Sequence, residues 1–187
     1  MRLPVQLLSH DSFRVVMDGH DIWFNPQDYK RSYGLPRGKV KATWCFLTNL
    51  ETAYVPILLD WAKGFKDVHF ITGPMAHHEL SEAGVPAEKL ILADDHGWAI
   101  SRQISFKAIG TVRDAPSYLL TTSIGNLLFA SQVFAQTDGA MLMQKVGDVD
   151  TVFCQVANRQ KPRPHRIQKH SLRGRLMSWL SNASMKA

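Results

Sequence analysis

The apolar residues of this chain come in short runs separated by polar turns, a pattern of strands and brief helices. Residues 3–8 and 12–16 read as short strands about the polar turn Ser9-His10-Asp11. Asp18-Gly19 is a hairpin signal, because glycine supplies the positive φ that such turns require. Residues 21–24 (Asp21-Ile22-Trp23-Phe24) form the next strand and run into Asn25-Pro26, where proline removes a ladder donor and ends it. The polar residues 27–41, with Gly34, Pro36 and Gly38, read as a loop, and residues 42–47 as a buried strand.

Helical spacing then takes over. Residues 57–62 start an amphipathic helix after Pro56, residues 68–71 form a strand stopped by Gly73-Pro74, and residues 75–83 form a helix that ends at Gly84. The remainder is mostly strands, at 89–92, 98–101, 104–109, 117–122, 126–130 and 150–156, with Gly125-Asn126 as a second hairpin signal and a helix at 140–146. Hairpins combined with parallel crossover units predict an α+β (α/β) chain, a four-layer αββα sandwich rather than a doubly wound sheet.

Length changes this picture little: 187 residues suffice for one domain with a real core, and 45% hydrophobic content is ordinary for a globular protein. No apolar run reaches the roughly 20 residues a membrane helix needs. The first ten residues do not make a signal peptide, so a cytoplasmic location is expected. Cys45 and Cys154 lie in apolar segments and read as buried thiols, without the spacing of a zinc site or redox pair.

Charge changes it more. Of the overall net charge of +6, residues 158–187 supply eight Lys or Arg and no acid, which leaves −2 for the preceding part. The expected organisation is therefore a domain over 1–157 followed by a basic tail over 158–187. Within the tail, Leu172, Leu176 and Trp179 share one face of a short helix, with Arg173 and Arg175 off it. Arg173, Arg175, Leu176 and Trp179 are the partner-binding candidates. A protein partner or self-association is expected first; an anionic membrane surface, which would place the chain at the inner face of the membrane, and nucleic-acid phosphates are alternatives.

The loop after the buried strand carries the candidate chemistry. Leu8-Ser9-His10-Asp11-Ser12-Phe13, then Val15 through Pro26 with its Asp18-Gly19 turn, Thr48-Asn49-Leu50-Glu51-Thr52-Ala53-Tyr54, Glu82-Ala83-Gly84-Val85-Pro86 and Asn126 through Gln132 occur in a characteristic order. In that order they resemble the metallo-β-lactamase fold superfamily, in particular its ascorbate-phosphate lactonase-like branch, over roughly residues 3–157. The resemblance implies the αββα fold and places residues 48–54 on the superfamily's Thr-His-x-His-x-Asp-His metal motif.

The expected ligands are replaced. Histidine positions carry Asn49, Glu51 and Tyr54, the aspartate position carries Ala53, the bridging aspartate of Gly-Asp-Thr falls on Ser131, and the aspartate of Asp-Pro is Asn25. Arg113 and Asp114 occupy a loop where a histidine is expected, and the basic tail stands where the superfamily has its last strand, helix and histidine, so the fold is C-terminally shortened. Zinc and similar ions need imidazole and carboxylate donors at such positions, so no metal and no cofactor are expected.

Two functions follow. The first is a metal-free, metallo-β-lactamase-like pseudoenzyme that serves as a binding or assembly protein through its tail or its former active-site pocket (Asn25, Asn49, Asp114, Ser131), with no small-molecule ligand identified. The alternative is a hydrolase of an ester, lactone or phosphoester with a relocated or metal-independent site, using Glu51, Tyr54 and His10 as acid–base groups. The more ordinary account of Asn49, Glu51, Tyr54, Asp114 and Ser131 is that they fill the former metal pocket with hydrogen-bonded polar groups, and of His10 that it is a hydrogen-bonded turn residue. His77-His78 reads as an exposed pair at a helix start, since adjacent helical positions point about 100° apart.

Overall fold

The hairpin at Asp18-Gly19 starts the architecture. Both residues adopt positive φ, 50° and 77°, the form whose twist matches that of two antiparallel strands. It joins β2 (Phe13–Met17) to β3 (His20–Phe24), and β1 (Val5–Leu7) pairs antiparallel on the far side of β2. The computed structural model describes residues 5–8, 12–26, 41–94, 96–109, 115–131 and 146–154, with backbone alone at Leu7 and Cys154. The chain forms two compact units and passes from the first to the second between Ala93 and Asp94. The domain boundary expected at residue 157 lies outside the described residues.

In the first unit, β4 (Ala42–Phe46), β5 (Val68–Thr72) and β6 (Leu90–Leu92) add parallel to β3, giving a six-stranded sheet in chain order. Parallel neighbours need crossovers, and α1 (Val55–Gly64) and α2 (Pro74–Glu82) provide two of them. Strand alternation puts Trp23, Cys45, Phe70 and Leu90 in one row across four strands. That row packs with Leu58, Trp61 and Ala62 of α1 and Leu80 of α2. Trp23 and Trp61 meet edge to face, with ring centroids 5.2 Å apart. Burial raises the pKa of the Cys45 thiol well above its usual value, and Asp21 adds to the effect, in keeping with an inert core cysteine. On the same face, fully buried Asp21 accepts from Nε and Nη2 along one edge of the Arg14 guanidinium, at 2.8 and 3.1 Å.

The second unit is a five-stranded sheet in the order β11-β10-β9-β8-β7. β7 (Trp98–Ala99), β8 (Ile104–Ile109), β9 (Ser117–Thr122) and β10 (Gly125–Ala130) are antiparallel, and β11 (Thr151–Cys154) joins β10 in parallel. Ile109, Leu119, Leu128, Ala130, Val146 and Val149 form one core cluster.

The α+β class follows from two sheets with few helices, and three local expectations need correction. The strand at 98–101 is only two residues long, because Ile100 and Ser101 both turn their N–H groups to the Ile104 carbonyl. The second hairpin turns at Ser123 and Ile124, one step before Gly125-Asn126. Thr122 Oγ1 donates to the Gly125 carbonyl (2.7 Å) and accepts from the Ile124 N–H, and Gly125 already belongs to β10. Trp44 is half-buried instead of core. The helix expected at 140–146 lies outside the described residues except at Val146. Among the described residues, no helix is long and apolar enough to cross a membrane.

Candidate functional site

The organising loop of the first unit begins where β3 and β4 end side by side. Asn25 extends the parallel ladder by donating its N–H to the Phe46 carbonyl at 2.9 Å, then leaves it with φ 45°. Few residues other than glycine visit that region readily, and asparagine is one of them. Its side chain turns onto Thr48: Oδ1 accepts the Thr48 backbone N–H at 2.8 Å, and Nδ2 donates to Thr48 Oγ1 at 2.8 Å. Both residues are buried, at 6% and 8% exposure. A carboxylate could also take the N–H and accept the hydroxyl proton, but the amide meets both partners without burying a charge.

Beyond Thr48 the loop alternates. Asn49 is exposed, Leu50 is half-buried against the helix-side core, and Glu51, Thr52 and Ala53 are exposed. Thr52–Tyr54 form one 3-10 turn, closed by the Tyr54 N–H on the Glu51 carbonyl at 2.8 Å, and lead into α1 with Pro56 in its first turn. Leu50 thus anchors the loop inward while Asn49 and Glu51 point to solvent. Asn25 is buried and hydrogen-bonded, whereas Asn49 and Glu51 are exposed.

In the second unit Ser131 follows β10 and is buried. Its N–H donates to Ser117 Oγ at 2.9 Å, and Ser117 Oγ donates to Ser131 Oγ at 3.2 Å. Ser131 therefore forms a hydroxyl pair with the first residue of β9. His77 and His78 sit within α2, half-buried and exposed respectively. His10, Asp114, Arg173, Arg175, Leu176 and Trp179 lie outside the described residues.

The donor set at this loop does not fit a divalent metal. Asn49, Ala53 and Tyr54 bring no imidazole or carboxylate, Glu51 brings one carboxylate, and the Asn25 amide is matched to Thr48. Among the described residues, no group of three or more His, Cys, Asp or Glu side chains is placed to hold an ion. No reaction step is therefore assigned to a metal here.

Sequence reasoning named Asn25 and Ser131 but not what holds them, Thr48 and Ser117. It also passed over His20 and His69, which the structure gathers with Trp44 on one face of the first sheet. The two-residue alternation was the available signal, since it puts His20 on the side of Ile22 and His69 on the side of Ile71.

No protein-family profile and no curated protein matches this chain. Solved structures do. A Parabacteroides distasonis protein assigned as a metal-dependent hydrolase aligns with TM-score 0.50 and 14% identity, over 67% of this chain and 59% of that one. Zinc-bound PqqB from Methylobacterium extorquens aligns with TM-score 0.52 and 15% identity, over 77% of this chain and 56% of its own. At such identities the likeness shows the fold, that of the metallo-β-lactamases. The chain spans somewhat more than half the length of these two proteins.

Proposed function

We propose that this chain uses a metallo-β-lactamase-like scaffold for binding instead of metal-dependent hydrolysis, with a protein partner or a second copy as its target. The observation that carries the reading is the Asn25–Thr48 clamp. At the head of the loop that would carry the metal motif, a buried amide and a threonine satisfy one another, and the residues that follow face outward. An outward loop without a metal-ligand set is suited to surface contact, and the eight basic side chains of residues 158–187 offer a second, electrostatic contact to an acidic partner. Metal dependence and bound zinc belong to the neighbours named above and are not carried over.

The test is elemental analysis of protein purified without added metal, together with zinc and manganese titrations followed by thermal unfolding. The expected result is no stoichiometric metal and an unchanged melting temperature, since an ion that bound the native state would raise it. About one tightly bound equivalent with a clear upward shift would overturn the reading.

One observation favours a second reading. Glu51 is the N-cap of the 3-10 turn that Tyr54 closes, and its carbonyl accepts the Tyr54 N–H at 2.8 Å. A carboxylate and a phenol carried on one short turn would suit metal-independent hydrolysis of an ester, lactone or phosphoester. Activity on such a substrate that falls on Glu51→Gln would support this reading; an unchanged rate would remove Glu51 from it.

A further inference from the structure

Three rings line one face of the first sheet near the ends at which its parallel strands begin. His20 opens β3, Trp44 is the third residue of β4 and His69 the second of β5. The register puts Ile22 beside Trp44 and Trp44 beside His69, so strand alternation points all three rings to the same side. Trp44 sits between the imidazoles. Its indole N–H donates to His20 Nδ1 at 3.1 Å. The ring of His69 stacks on it with centroids 4.6 Å apart and planes 26° from parallel. His20 is buried, and His69 Nδ1 is buried with no hydrogen-bond partner among the described residues. At the same end the Lys41 N–H donates to the Gly19 carbonyl at 2.7 Å, and the Lys41 alkyl chain lies close over Gly19.

The arrangement tolerates one protonation state. An indole N–H can only donate, so His20 Nδ1 must present a lone pair and the ring must carry its proton on Nε2. A second proton, on Nδ1, would set two N–H groups against each other and remove the bond. On His69, a proton at Nδ1 would be a buried donor without an acceptor, which is costly.

We infer that the His20–Trp44–His69 stack is an acid-sensitive latch, which ties the starts of β3, β4 and β5 together at neutral pH and releases them when the imidazoles take protons. Among the described residues the charged groups around it are few. Lys41 and Asp18 face His20: burial and then Lys41 lower its pKa from the usual value, and Asp18 opposes them. Asp67, Lys89 and the Glu88 backbone surround His69. Burial again lowers its pKa most, and Lys89 acts in the same direction against Asp67 and the hydrogen bond to the Glu88 backbone. The neutral form is thus the resting form of both rings, and acidification acts on the latch directly. The latch lies at the opposite ends of the strands from the Asn25–Thr48 clamp, so it stands or falls independently of the binding role proposed above.

The test is a titration of the full chain from about pH 8 to about pH 5, the range in which histidine changes charge. Imidazole nitrogen shifts are read together with the Trp44 indole proton, which is assigned by its loss in Trp44→Phe. At neutral pH His20 should show the Nε2–H tautomer. The Trp44 resonance should then move with the His20 midpoint, below that of a free imidazole. His20→Gln keeps an acceptor for the indole but cannot titrate, so it should abolish that shared midpoint. A His20 protonated on Nδ1 at neutral pH, a Trp44 resonance indifferent to the titration, or the same midpoint retained in His20→Gln would each overturn the latch. If His20→Gln does not fold, the titration of the unaltered chain decides alone.

Discussion

Asn25 shows how much one side chain can carry. That the resemblance expects an aspartate at this position was legible in the sequence, but the work the asparagine does was not. Neither the positive φ nor the two-way bond to Thr48 follows from an Asn-Pro dipeptide, because the partner lies across β4, 23 residues further along the chain. Asn25→Ala would leave the Thr48 N–H and hydroxyl without these bonds and put at φ 45° a residue that tolerates positive φ less well than asparagine, and should cost about 2–4 kcal/mol in denaturant unfolding. Asn25→Asp should cost less than Asn25→Ala, since it keeps the bond to the N–H. Gly125 makes a second case. Its φ is 129°, and an added β-carbon would lie 2.6 Å from Asp150 Oδ2, the oxygen that accepts the Asn126 N–H. Gly84 also has positive φ, 93°, but open space around it. Gly125→Ala should therefore destabilise by more than Gly84→Ala, with roughly 1–3 kcal/mol from strain at either site and the lost Asp150 contact added only at Gly125. Equal losses on chemical denaturation would show that the Asp150 contact carries no weight.

Among the elements, the strands and the α-helices of the first unit were legible because local signals agreed with the fold: Asp18-Gly19 for the hairpin, Pro56 for the start of α1, Gly73-Pro74 for the end of β5, and Gly84 just beyond α2. What the sequence did not show was how α1 ends. Lys89, in the 3-10 turn Ala87–Lys89, donates its ammonium to the Ala62 and Phe65 carbonyls at 2.6 and 2.7 Å. A cation over the last carbonyls of a helix meets the negative end of its dipole and satisfies acceptors that the helix cannot. The contact also fastens α1 to the approach to β6, 24 to 27 residues away, and so it could not be read from either segment alone. Lys89→Met keeps the aliphatic stem and removes the donor, and should cost about 1–2 kcal/mol. Amide exchange should quicken in the last turn of α1 and not in α2; uniform quickening would mean that Lys89 supports the unit as a whole and not this helix end.

For the whole molecule, the fold was readable from the order of landmarks, whereas the buried face of the first sheet hid its titratable groups among apolar neighbours. His20 and His69 occupy positions that alternation gives to core residues, and they look unremarkable in sequence because a half-buried strand accepts a neutral imidazole as readily as an aromatic ring. Their consequence is global. In the native chain both pKa values lie below the usual one, chiefly through burial, whereas in the unfolded chain they return to about 6.5. Above that value neither state binds the extra protons, and the full stability is present. As pH falls through it, the unfolded chain takes up protons that the native chain refuses, so stability drops until the native imidazoles also protonate. The urea midpoint should accordingly decline between about pH 7.5 and about pH 5. In His20→Gln, with one of the two groups removed, the decline should be shallower, while the midpoint at the upper end stays close to that of the unaltered chain because the glutamine still accepts the indole N–H. A decline of the same steepness in that variant would assign the acid sensitivity to His69 or to groups beyond this face.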